Sequence, residues 1–191
     1  VDNNSAIISC TPFDPEEILV LRQAIDIAEE LIGDHYKVST SEWKRYRYDI
    51  QSLKDLNREE VTDGAFAQIR RYLRHPSLRT RGSEPGDYFK ICLQDHVIRQ
   101  AIQRDPSIRL LPLALYIVVH ELIHVVRFTR FLHSFDSKEE EREAEERRVH
   151  ALTYKLVAPL RIADIPEVLD AFRNCLAVDT FLGRHQEGPS D

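Results

Sequence analysis

The chain has 191 residues, of which 42% are hydrophobic and 30% charged, with a formal net charge of -6. Such a chain suits one soluble globular domain with a proper core; the balance excludes a disordered polyelectrolyte and disfavours wholesale nucleic-acid binding. The longest apolar stretch, Leu110 to Val126, is broken by Pro112, His120, Glu121 and His124, falls short of the ~20 residues of a membrane span and reads as a buried helix.

Cys10, Cys92 and Cys175 are odd in number and irregularly spaced. They form neither a disulfide framework nor a thiolate zinc site, and they point to a reducing, cytoplasmic compartment. Ile7-Ile8-Ser9-Cys10 has the outline of a lipoprotein cleavage box, without the basic stretch and apolar core of a signal peptide.

Residues 1–13 read as an irregular arm. Asp14-Pro15-Glu16-Glu17 opens a helix with an Asp cap, Pro at the first helical position and acids in the first turn. Ile18, Leu21, Ile25, Ala28 and Ile32 keep helical spacing, and Gly33 is expected to end the element. His35 to Thr40 reads as a short strand with Tyr36 and Val38 on one side. Residues 42–56 and 59–75 are expected to be helical. The second carries Phe66, Ile69, Tyr72 and Leu73 on one face and is stopped by Pro76. Residues 79–86 have the composition of a loop, and Tyr88 to Leu93 is the best strand in the sequence.

A short helix is expected over about 95–104, followed by a long apolar one over about 110–132. Ser137 with Glu140 has the form of a capping box, so a further helix should run from about 138 to 157, before Pro159. Asp164-Ile165-Pro166 starts a last helix to about 177, and the tail 183–191 is polar and expected to be mobile. There is no internal repeat. Trp43-Lys44-Arg45-Tyr46-Arg47-Tyr48 and the arginines 70, 71, 74, 79 and 81 interleave basic and aromatic residues. Nucleic acid is one partner for such a pattern, and an amphipathic face balanced against the acids is the favoured account.

The chemistry concentrates in His120-Glu121-Leu122-Ile123-His124. On a helix, residues four apart share a face, so His120 and His124 offer two imidazoles to one point, as a tetrahedral zinc ion requires. Glu121 stands beside them as general base: zinc lowers the pKa of bound water to roughly 7, and the carboxylate takes its proton and passes it to the leaving amine. Val118, Val119, Leu122, Ile123, Val125 and Val126 surround the motif. Two imidazoles and a carboxylate in such a setting are costly unless paired or bound to metal.

A catalytic site takes a third protein ligand. Arg127 and Arg130 stand where a metzincin would have Gly and His, which excludes that class. The acidic run from Glu139 to Glu146 is the next source. Val149, Leu152 and Leu156 define a stripe on which Glu145 and Glu141 also fall, whereas Glu143 aligns with His150 and Tyr154, and Glu139, Glu140 and Glu146 are more easily solvated. Glu141 is the favoured ligand, with Glu145 accepting a ligand histidine's free N–H; Glu143, Glu145 and His150 are the alternatives. His133 and Asp136 fall near the turn and are less favoured.

The motif together with Glu141-Arg142-Glu143-Ala144-Glu145 resembles the gluzincin metallopeptidases over about residues 86–159. In that clan a glutamate on the helix after HExxH is the third zinc ligand, and an acid one turn later supports it. The Glu-x-x-Ala-acid form is similar to that of CAAX prenyl protease, HtpX-type peptidases, ImmA/IrrE-type peptidases and the minigluzincins. The lack of membrane spans sets the first two apart. Glu145 replaces the expected Asp or Asn, and no Gly precedes His124, so the subfamily stays open.

The resemblance implies one zinc ion per chain, a peptide or protein substrate, and a zincin-like domain over residues 1–191. That domain is α+β and predominantly helical, with a short, mostly antiparallel sheet of about three strands above the HExxH helix. It also implies that Tyr88, Phe89, Lys90, Ile91, Cys92 and Leu93 form an edge strand that binds substrate by strand addition. His150 and Tyr154, with Arg148, are candidates for stabilising the oxyanion. Two other readings stay open: a regulatory peptidase-like domain that cleaves or binds a transcriptional repressor, and a zinc-binding domain without peptidase activity, against which an intact Glu121 argues. The tail could occupy the cleft through His185.

Overall fold

A computed structural model describes residues 10–43, 46–72, 88–132, 134–135 and 138–173. Helix α1 spans Pro15–Tyr36 and begins as its sequence dictates. The Asp14 carboxylate accepts from the Glu16 and Glu17 amides at 2.9 Å, and Glu17 accepts from the Asp14 amide at 2.8 Å, closing a capping box. The helix does not stop at Gly33. It runs to Tyr36 and ends at Lys37, which takes a left-handed φ of 54° while the Val38 amide donates to the Gly33 carbonyl at 2.9 Å. Gly33 answers a different need, because the Trp43 indole nitrogen lies 3.2 Å from where a Cβ would stand. The strand expected over 35–40 is therefore absent: its first residues complete α1, and its last opens the single turn α2, Thr40–Trp43.

The two helices expected over 42–56 and 59–75 are corrected more thoroughly. The chain forms strand β1, Tyr48–Gln51, then 3-10 turns at Leu53–Asp55 and Arg58–Glu60, then strand β2, Ala67–Tyr72. The three-residue spacing of Phe66, Ile69 and Tyr72 resembles a helical face but does not make one. In the strand, Ala67, Ile69 and Arg71 lie opposite Leu93, Ile91 and Phe89 of strand β3, Tyr88–Leu93, while Gln68, Arg70 and Tyr72 face the other way. Residues 73–87, including the expected loop 79–86, lie outside the described residues.

The sheet has the order β1-β3-β2, with β1 parallel and β2 antiparallel to β3. It is mixed rather than mostly antiparallel, and the Tyr88–Leu93 strand is its centre. The edge role expected for Tyr88, Phe89, Lys90, Ile91, Cys92 and Leu93 is thereby corrected, since both flanks of that strand are already paired; β1 and β2 are the edges. Phe89, Ile91 and Leu93 enter the core. On the opposite face Lys90 donates to both Glu60 carboxylate oxygens, at 2.9 and 2.7 Å, and Gln94 bonds the Thr62 amide and the Glu60 carbonyl. These contacts clamp the 52–66 segment to the sheet.

Helices α3, Asp95–Arg104, α4, Leu110–Thr129, α5, Glu139–Val157, and α6, Ile165–Phe172, follow. The described fold is thus α+β and mostly helical. Buried Asp95 accepts from the Phe13 amide at 2.8 Å and the Leu53 amide at 3.1 Å, tying the end of the N-terminal arm to the sheet side. Helix α4 stops three residues short of 132, where Phe131 takes a left-handed φ of 55°. By length and composition α4 could cross a membrane, yet it is the central element, packed by α1, α3, α5, α6 and β2. Each fully buried Leu, Ile or Val along it contributes about 1.5–3 kcal/mol. Ser137, the expected cap of α5, lies outside the described residues, as do residues 174–177, the tail 183–191 with His185, and residues 1–9. The aromatic half of the 43–48 segment is structural: Tyr46 is buried, and Trp43 packs edge-on to it with ring centres 5.5 Å apart.

Candidate metal centre

Along α4, Tyr116, His120, His124 and Arg127 recur at helical spacing and present their side chains to α5. Helix α5 runs antiparallel and meets them in reverse order. His150 Nδ1 lies 3.0 Å from the Tyr116 hydroxyl, and its ring centre is 4.5 Å from that of His120. Glu146 reaches both motif histidines, and Glu145 takes the Arg127 guanidinium.

The Nε2 atoms of His120 and His124 are 3.2 Å apart, with the Glu146 carboxylate oxygens 3.3 Å from the first and 3.2 Å from the second. For a tetrahedral ion with bonds of ~2.1 Å, the ligand atoms would stand ~3.4 Å from one another. The donor set therefore fits in span as well as in chemistry, and His120, His124 and Glu146 could hold a metal ion. Nδ1 of each histidine is buried with no hydrogen-bond partner among the described residues, so the usual outer acceptor that fixes a ligand imidazole is lacking there.

Burial lowers the pKa of His120 against the pull of Glu146. Burial acts the same way on His124, but the hydrogen bond to Glu146 and the Glu121 charge outweigh it and raise its pKa. Burial would raise Glu146 too; the hydrogen bonds from both imidazoles prevail and hold the carboxyl below the ordinary range. Glu121 has no such relief. Burial pushes it up to about 7, with His124 pulling down and Glu146 pushing further up.

These groups open onto a cavity of about 490 Å³. Residues 64–69, which include the start of β2, line it together with α4 and α5. Phe128 and Phe135 flank it near His124, and Phe172 stacks on Tyr116 beyond His120, with ring centres 4.2 Å apart. Burial holds the Tyr116 hydroxyl protonated, and it pairs with His150 Nδ1, the bond that selects the tautomer of the imidazole. Burial, assisted by the nearby His120, brings His150 down to about 4, which keeps it neutral.

Several expected site residues are placed elsewhere. Glu141 is exposed and takes no part in the cluster; Glu146, expected to be solvated, occupies the third position. The buried stripe of α5 is Glu145, Val149, Thr153 and Val157, with Leu152 and Leu156 only half-buried. Glu141 lies one turn before Glu145, in the first turn of α5, on a part of the helix that the core does not cover. Glu145 does not serve a ligand histidine: it binds Arg127, and Arg148 at 2.8 Å. Glu143 is exposed beside Arg147. Tyr154 is 40% exposed and does not line the cavity, and Arg148 is exposed, so of the oxyanion candidates only His150 does. His133 and Asp136 lie outside the described residues.

Glu146 and Tyr116 were missed from the sequence. The Glu146–His150 spacing of one helical turn, paired with the Tyr116–His120 spacing on α4, is the signal that could have found both. No family model matches this chain, and comparison with curated proteins and with solved structures yields no significant match, so the geometry alone carries the functional reading.

Proposed function

We propose that this protein is a zinc-dependent, gluzincin-like metallopeptidase in which His120, His124 and Glu146 hold the ion and Glu121 is the general base. The observation that carries the proposal is the convergence of the His120 and His124 Nε2 atoms and the Glu146 carboxylate to 3.2–3.3 Å beside Glu121, in an open cavity. Two imidazoles, one carboxylate and an open position are the ligand pattern of catalytic zinc. When bound, zinc supplies a Lewis acid and a water acidified to a pKa of roughly 7.

The remaining steps belong to the chain. Glu121 takes the proton as the attacking oxygen adds to the peptide carbonyl, then delivers it to the departing amine nitrogen. His150 offers Nε2–H to the carbonyl oxygen as negative charge gathers there, and Tyr116 fixes the tautomer that makes this possible. The cavity-lining segment leads into β2, whose second edge is unpaired among the described strands. An extended peptide can add to that edge by main-chain hydrogen bonds, with the sheet above α4 in the zincin manner.

Cleavage of a proteome-derived peptide library by the zinc-loaded protein tests the proposal. Wild type should cut and Glu121→Gln should not, with both retaining zinc. Equal cleavage by Glu121→Gln would refute the role of Glu121, and no cleavage by wild type would refute the peptidase assignment.

A further inference from the structure

The ligand imidazoles lack outer-shell acceptors among the described residues, so something else must hold α5 where Glu146 meets them. The contact beside the metal group supplies it. Glu145 is 1% exposed at its side chain, and Arg127 Nε and Nη2 donate to its two carboxylate oxygens, the second at 3.0 Å. Arg148 adds a bond of 2.8 Å to the same carboxylate. A planar guanidinium meeting a carboxylate as a fork is directional in a way a single contact is not. Glu145 and Glu146 are consecutive, so fixing one on its helix fixes the other's direction. A slip of α5 by one residue would move Glu146 by about 1.5 Å along the axis and turn it by about 100°, out of reach of both histidines.

We infer that the Arg127–Glu145 pair is a positioning device for metal binding: it locks the register of α5 on α4 and so presents Glu146 to His120 and His124. The inference rests on the proposed metal site and deepens it. Arg127 is a positioning residue, since it is not one of the three groups that could hold the ion and reaches the site only through Glu145.

The test is the zinc dissociation constant of the full chain, measured by competition with a chromophoric chelator at fixed pH and salt. Folding is followed alongside by circular dichroism. Arg127→Met should weaken zinc binding by about 10- to 100-fold, the cost typical of lost outer-shell support, and Arg127→Lys should fall between it and wild type because it keeps charge without the fork. Lys90→Met breaks the other buried pair, Lys90–Glu60; it should lower stability and leave zinc affinity unchanged. If Arg127→Met does not fold, Glu145→Gln, of the same size, carries the test. Zinc affinity within threefold of wild type in a folded Arg127→Met or Glu145→Gln overturns the inference alone. Failure of wild type to bind zinc removes the metal site and the inference together.

Discussion

Replacing Glu146 by Gln separates the proposed ligand set from the one the sequence favours. Glu146 sits 3.2–3.3 Å from both Nε2 atoms, whereas Glu141 is exposed in the first turn of α5. Zinc sites of four protein ligands bind with about 10–16 kcal/mol, so one ligand is worth about 3 kcal/mol, or roughly 100-fold in dissociation constant. Glu146→Gln keeps the size of the side chain but exchanges an anionic oxygen donor for a neutral amide, so zinc should bind about 100-fold more weakly. Glu141→Gln, which changes only a solvated charge, should stay within about threefold. Isothermal titration of zinc into metal-free protein at pH 7.5 reads both. Equal weakening by the two variants, or more by Glu141→Gln, would refute the placement of α5 against α4 on which the site depends.

His150→Ala should bind zinc within about threefold of wild type and lose about 100-fold in kcat, the size seen when one oxyanion donor is removed; unchanged turnover of a library-derived peptide would dismiss its role. Glu60 offers a pH test. Burial would raise its carboxyl, but hydrogen bonds from Lys90, Tyr72 and the Asn57 amide outweigh it and hold the group at about 2. A depressed folded pKa gives stability that is complete above the unfolded value near 4.5 and is lost as pH falls towards 2. Glu60→Gln should therefore cost about 3 kcal/mol at pH 7, as breaking a buried pair does, and nearly nothing at pH 2. Urea unfolding at several pH values checks this, and a penalty constant from pH 7 to 2 would contradict it.

The parts of the fold that were legible in sequence are those written in local signals. The Asp14-Pro15-Glu16-Glu17 start of α1, the apolar run Tyr88–Leu93 and the apolar length of α4 each specify their element without knowledge of the rest. What failed depends on partners far along the chain. Residues 67–72 form a strand because β3 pairs with them, and no feature of Gln68, Arg70 or Arg71 announces it. The central position of β3 likewise follows from β1 and β2, both of which the local pattern hid. The motif from His120 to His124 was plain because the spacing of its proposed ligands and base is set within one helix. The proposed third ligand, Glu146, depends on how α5 sits against α4, which its own residues do not announce. Leu152 and Leu156 suggested one phase, while the structure buries Glu145, Val149, Thr153 and Val157. Glu141 shares that stripe but is exposed in the first turn of α5, whereas Glu146, beside the stripe, stands with both histidines.

The most direct measurement is a crystal structure of the zinc-loaded protein with anomalous data at the zinc edge. The account predicts one peak per chain, about 2.0–2.2 Å from His120 Nε2, His124 Nε2 and a Glu146 carboxylate oxygen, with Glu121 facing the open coordination position. A peak ligated by Glu141 in place of Glu146, or none at the motif, would contradict it.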